Sequence, residues 1–257
     1  MADNVTSGSL TLVGIGPGGL DYLTRRAERA ICDADVVVGY RLYLELIIPL
    51  IEDKQYLEFP MGAEFERAQE SVRRALDGER VALVTGGDPG IYGMAAPTYQ
   101  ALNDLDESQV AAVNLEVIPG VTAATASAAI VGTPLIQDFA VISLSDRFVP
   151  WEVIEKRLRN TLDADLAVVI YEPASRHRPS HMMKAWRIIS EYREPDSPVA
   201  VVRDATRPDQ TATLSTVAEM MNLPYDMKTT VIIGNSTSYI ARGLLMTPRE
   251  HPEITNK

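Results

Sequence analysis

Apolar β-branched runs alternate with stretches of helical period along most of the chain. Residues 10–15 (LTLVGI) form the first run, and a glycine-rich turn and a helix over 22–31 follow it. A second run, 35–39 (DVVVG), precedes a helix over 41–48 and a long charged amphipathic helix over 64–76. Residues 80–85 (RVALVT) and 114–118 (NLEVI) are further strands. Continuous apolar strands separated by helices predict a parallel sheet covered on both faces. After Pro119 and Gly120 the pattern changes. An alanine-rich helix over 122–131 leads to strands at 139–144, 165–171, 198–203, 211–215 and 229–234, with helices at 151–160 and 180–192. The short final runs read as partly antiparallel. The expected fold is therefore two α/β domains: 8–119 with a mainly parallel sheet, and 120–248 with a mixed one. The polar tail after Pro248 is expected to fray.

Composition narrows the possible functions. A net charge of −11 opposes nucleic-acid binding, which depends on basic surface. The single cysteine, Cys32, excludes an internal disulfide and is expected to be a small buried apolar residue. The polar N-terminus lacks the basic and apolar regions of a signal peptide. The longest apolar run, 42–51, is broken by Glu45 and Pro49 and is too short for a bilayer. These features predict a cytoplasmic protein with no membrane or nucleic-acid partner. His177 and His181 have the spacing of two ligands on one helix face, but Pro179 lies between them and no third ligand is evident beside them or His251, so no metal site is expected.

Three glycine-rich segments carry the chemistry. Gly14, Gly16 and Gly19 fit G-x-G-x-x-G after a strand. A dinucleotide site also wants an acid after the second strand; here Tyr40 and Arg41 stand there, and Pro17 removes a backbone donor. A dinucleotide-dependent oxidoreductase is therefore the weaker alternative. The glycines either make a tight turn only or let a ligand approach bare backbone. The second segment, 85–93 (TGGDPGIYG), follows RVALV, with Asp88 as a ligand contact, a helix cap, or both. The third, 118–124 (IPGVTAA), offers Thr122 as a cap or a cleft-facing hydroxyl.

Together VGIGPGGLDYLT, TGGDPGIYGMA and PGVTAATASAA resemble the tetrapyrrole (corrin/porphyrin) methylase family over about 10–248. VVVGYRLYLELI, DFAVISLSDRFVPWEVIEKRL, VIYEPASRHRP and TTVIIGNSTSYI are similar to its branch acting at carbon 17 of precorrin-3B or cobalt-precorrin-3. The resemblance implies a homodimeric S-adenosyl-L-methionine-dependent methyltransferase of cobalamin biosynthesis, coupling methylation to ring contraction. Methylation of another ring carbon is the alternative within the family. It implies that the cofactor lies in a cleft between the two domains, touching Pro17, Gly86, Gly87, Asp88, Ile91, Tyr92, Thr122, Ala123, Glu172 and Ala205. Two segments depart from the branch. Asn usually follows the tyrosine of YEP, with Arg two residues later, where this chain has Glu172 and Ala174. Arg-Asn-Ala-Gly is usual where this chain has Arg203, Asp204, Ala205 and Thr206.

An acid or base would assist lactone closure in the implied reaction. The candidates are Asp146, Glu172 and Asp204, with bland readings as a helix cap, a cofactor contact and a surface loop residue respectively. Arg41, Arg176 and Arg178 are candidates for the carboxylates of a precorrin substrate, because an arginine fork suits them. Tyr40, Tyr43 and Tyr92 could stack on the macrocycle or pack in the core.

Overall fold

A computed structural model describes residues 8–249; His251 and the rest of the tail beyond lie outside the described residues. The chain divides into two compact units, the first ending at Thr122 and the second starting at Ala123.

In the first unit β1 (Ser9–Gly14) is followed by a 3-10 turn at Leu20–Tyr22 and by α1 (Arg25–Asp33). Then come β2 (Val36–Tyr40), α2 (Arg41–Glu45), α3 (Ile48–Ile51), β3 (Gln55–Phe59), α4 (Glu64–Leu76), β4 (Arg80–Thr85), α5 (Ala95–Asn103), α6 (Glu107–Ala112) and β5 (Asn114–Ile118). The strands form one sheet, β3-β2-β4-β1-β5, and every pairing is parallel. Side chains alternate between two cores, as the pleat requires. Leu10, Leu12, Val36, Val38, Val81 and Leu83 pack with Ala68 and Val72 of α4 on one face. Val13, Val37, Ala82 and Val84 pack with Ala27, Ile31 and Leu44 on the other. Burial on both faces is why these strands read as unbroken apolar runs. β1 and β4 are neighbours, and the chain leaves them in opposite directions across the sheet, from β1 to β2 and from β4 to β5. Ligands of open α/β sheets bind outside the carboxyl ends at such a point.

Local chemistry shifts some boundaries. α1 starts three residues later than expected because the Thr24 hydroxyl accepts from Ala27 N–H at 3.1 Å and fixes the start. The helix expected over 41–48 is two short pieces, the second opening on Pro49 at its first turn. Cys32 is exposed, contrary to expectation, because Ala27 and Ile31 form the inward face of α1. Glu70 of α4 bonds Arg73 at 2.8 Å and Arg74 at 2.9 Å, and chiefly Arg73 holds its carboxyl down at about 2. That lowered value stabilises the fold above the unfolded value of 4.5, and the contribution is lost as pH falls from there toward 2. Glu70→Gln is expected to lessen the acid loss of stability, which urea titrations at about pH 6 and about pH 3 would read.

The second unit comprises α7 (Ala123–Val131), β6 (Gly132–Thr133), β7 (Phe139–Ser143), α8 (Trp151–Asp163), β8 (Ala167–Tyr171), α9 (His181–Tyr192), β9 (Pro198–Arg203) and β10 (Thr211–Thr216). A 3-10 turn at Met220–Asn222, then β11 (Thr229–Ile233), β12 (Tyr239–Ala241) and β13 (Leu244–Met246), complete it. Its main sheet is mixed, in the order β10-β9-β11-β8-β7. β7 and β8 are parallel, and β11 is antiparallel to both β8 and β9. The carboxyl ends of β7, β8 and β9 and the amino end of β11 therefore share one edge. A small sheet, β12-β13-β6, was not expected from the sequence, since strands of two or three residues carry no readable period. α9 begins at His181, so His177 lies before it and the two histidines do not share a helix face. Among the described residues no helix is long and apolar enough to cross a membrane.

Candidate active site

The glycine loops of the first unit close directly on one another. Gly16 N–H donates to Gly87 O at 3.2 Å and Gly87 N–H donates to Gly16 O at 2.7 Å, an isolated antiparallel bridge between the loops after β1 and β4. Both glycines have left-handed φ, 76° and 66°. A Cβ on Gly14 would stand 2.6 Å from Gly120 N and 2.7 Å from Gly87 O, and one on Gly120 only 2.1 Å from Gly87 O. The loops after β1, β4 and β5 thus pack main chain against main chain. Beside the turn and ligand-approach readings this adds a third role: Gly14 and Gly120 are where one loop approaches another. Gly86 is different, since a Cβ there would strike the Tyr43 ring at 2.6 Å. Tyr43 also meets Tyr40 edge-on, with centroids 5.3 Å apart.

Asp88 joins two of these loops. One carboxylate oxygen accepts from Gly90 N–H at 2.8 Å and the other from Gly120 N–H at 3.0 Å. It does not cap a helix, because α5 starts at Ala95. Around this knot Pro17 is buried; Gly86, Gly87, Asp88, Thr122 and Ala123 are half-buried; and Ile91 and Tyr92 are exposed at 38% and 60%. Tyr92 has a φ of 54°. Arg41, at the carboxyl end of β2, pairs with Glu45 at 3.0 Å and keeps most of its side chain in solvent.

In the second unit the sequence-predicted residues other than Ala123, which opens α7, fall on the shared strand edge. Asp146 lies in the β7–α8 loop, Glu172, Arg176 and Arg178 in the β8–α9 loop, and Asp204 and Ala205 in the β9–β10 loop. The Tyr171 hydroxyl accepts from Ala124 N–H at 2.6 Å, tying β8 to the start of α7. Glu172 accepts from the Ser143 hydroxyl at 2.9 Å and has Arg178 Nη1 3.8 Å away. Arg176 is exposed, whereas Arg178 is largely buried and donates to the Ser175 hydroxyl at 3.3 Å.

Asp146 is not a helix cap, since Pro150 holds that position in α8. Its carboxylate lies 3.3 Å from Nε2 of buried His181. His181 Nδ1 is 2.9 Å from Leu144 O; a carbonyl only accepts, so Nδ1 carries a proton. Sequence reasoning weighed His181 only as a metal ligand and missed this pairing.

Asp204 is not a surface residue either. Its carboxylate is 3% exposed and lies 2.7 Å from Arg203, 3.4 Å from Lys228 and 3.5 Å from Arg207. Such surroundings suit a loop keystone better than a group that exchanges protons with a ligand. Glu172, Asp204 and Thr206 all have left-handed φ, 52°, 49° and 65°. These are the positions where the branch usually has Asn, Asn and Gly, the residue types that tolerate this conformation best. The unusual acids are each offset by local cations. The β-branched Thr206 has no such compensation, so Thr206→Gly is expected to stabilise the fold by about 1 kcal/mol or more in a urea titration.

Comparison with known proteins gives a consistent pattern. Residues 9–221 match the family described as Tetrapyrrole (Corrin/Porphyrin) Methylases. The chain is 40% identical over 240 residues to a probable cobalt-factor III C(17)-methyltransferase of Salmonella typhimurium, covering 93% of this chain and 98% of that one. It is also 40% identical over 242 residues to the cobalt-factor III methyltransferase of Priestia megaterium, of whose length it spans 45%. The crystal structure of the methyltransferase CobJ superposes with a TM-score of 0.87 at 33% identity, covering 94% of this chain and all of that one.

Proposed function

The chain belongs to the tetrapyrrole (corrin/porphyrin) methylases, and from that premise we propose that it transfers a methyl group from S-adenosyl-L-methionine to carbon 17 of a precorrin-type macrocycle in cobalamin biosynthesis, with ring contraction. The names of both relatives favour the cobalt-bearing form of the substrate over precorrin-3B. The reading includes a homodimer, as the resemblance implies, and a cytoplasmic location, as the sequence features predict.

One observation carries the cofactor assignment: three glycine loops converge at the carboxyl ends of adjacent parallel strands and are locked there by Asp88. The residues fit an adenosyl compound. Pro17, Gly86, Gly87, Thr122 and Ala123 offer main chain and small side chains, Ile91 and Tyr92 offer exposed apolar surface, and in the second unit Glu172 and Ala205 stand on strained loops. Asp88 acts by holding the loop in place, since both its oxygens are engaged. Arg41 and Arg176 present exposed guanidinium groups to substrate carboxylates, and Arg178 is braced beside Glu172. Asp146, backed by His181, is the acid–base group; its carboxylate is 38% exposed.

The bound cofactor supplies an electrophilic methyl group. The protein needs no nucleophile of its own; it must align the reactants and exclude water, which can contribute ~7–11 kcal/mol in favourable cases. Incubation with S-adenosylmethionine and cobalt-factor III, followed by mass spectrometry, is expected to give a product heavier by one methyl group. Recovery of unmethylated tetrapyrrole under conditions where the Salmonella relative is active would refute the reading.

A further inference from the structure

Arg67 occupies the first turn of α4 and is 4% exposed. Its Nη2 donates to the Met94 thioether at 2.9 Å, a weak acceptor. Its Nε and Nη1 have no hydrogen-bond partner. A buried guanidinium with this little compensation is costly. The helix adds to the cost, because a cation in the first turn opposes the macrodipole. Burial pulls the guanidinium below its ordinary value, while Glu64, Tyr43 and Tyr40 act in the other direction.

The surroundings place this cation beside the cofactor loops. Met94 closes the glycine segment after β4, Tyr43 packs on Gly86, and Tyr40 ends β2. All lie at the carboxyl edge of the first sheet. Met94 is unbranched and can swing aside for a stronger acceptor. Arginine forks match carboxylates in two-point geometry. We propose that Arg67 is the receptor for a ligand carboxylate at this edge, held unpaired until that ligand arrives. The inference rests on the methyltransferase reading, in which two ligands carry carboxylates: the amino-acid end of the cofactor and the side arms of the tetrapyrrole.

Titration of wild-type and Arg67→Met chains with S-adenosylhomocysteine, methylthioadenosine and cobalt-factor III separates the two sources. Methylthioadenosine keeps the nucleoside and thioether but lacks the carboxylate. Arg67→Met is expected to lose roughly tenfold to a hundredfold in affinity for one carboxylate ligand while binding methylthioadenosine as before. Loss for S-adenosylhomocysteine assigns the cofactor, and loss for cobalt-factor III assigns the macrocycle. Tm should hold or rise, because a poorly compensated buried charge has been removed. Unchanged affinity for both carboxylate ligands would overturn the proposal, as would a fall in Tm with methylthioadenosine affinity lost in parallel. If Arg67→Met does not fold, Arg67→Lys decides: weakened carboxylate binding with methylthioadenosine binding intact supports the receptor, and wild-type affinity for all three ligands overturns it. A wild-type chain that binds none of the three refutes the methyltransferase reading itself, and this inference with it.

Discussion

Gly120→Ala is expected to abolish binding of S-adenosylhomocysteine and to destabilise the chain by about 3 kcal/mol or more. The new methyl group would sit 2.1 Å from Gly87 O and 2.8 Å from the carbonyl carbon of Gly14. Both obstacles are main chain at the ends of central strands, so no side-chain rotation relieves the clash. The loop after β5 must move away, and Asp88 then loses its bond to Gly120 N–H. Gly90→Ala is the matched control for stability, because its Cβ would meet only an Asp88 oxygen, at 3.3 Å. Urea titration of the two variants should show a large loss for Gly120→Ala and little change for Gly90→Ala. Equal stability would mean that the three loops are not packed as described.

Asp204→Ala is expected to be the most damaging single change on the second unit's functional edge. It leaves Arg203, Arg207 and Lys228 around a site that has lost its carboxylate. Removing one partner from a buried ionic cluster costs ~3–5 kcal/mol; the lower end applies here because all three cations reach solvent. The backbone should respond as well, since Asp204 and Thr206 hold left-handed conformations on either side of Ala205. Asp204→Asn keeps the shape and the tolerance for positive φ, so a urea titration should show a smaller loss for it than for Asp204→Ala. If Asp204 were the proton-transfer group instead, Asp204→Asn would keep its stability and ligand affinity but lose turnover. That split would contradict the keystone role.

The parts of the fold that could be read from sequence were those with one dominant cause. β1, β2 and β4 lie inside a sheet covered on both faces, so their apolar runs are unbroken. β3 was missed because it is an edge strand whose Gln55, Tyr56 and Glu58 face solvent. The glycine segments were legible as a pattern, and their positions at strand ends followed from it. Their packing partners were not legible, because a single sequence does not record that Gly14, Gly87 and Gly120 face one another. Arg67 sits in a helix whose many charges read as a solvated face, yet it is buried, with its guanidinium against Met94. Asp204 looked like an ordinary loop acid because Lys228 joins the neighbouring Arg203 and Arg207 around it only once β9 pairs with β11.

Isothermal titration of the wild-type chain with S-adenosylhomocysteine and, separately, with NAD addresses the central claim most directly, that the knotted glycine loops seat an adenosyl sulfonium cofactor. The account predicts saturable binding of S-adenosylhomocysteine at one site per chain and no heat from NAD. Binding of NAD with none of S-adenosylhomocysteine would contradict it.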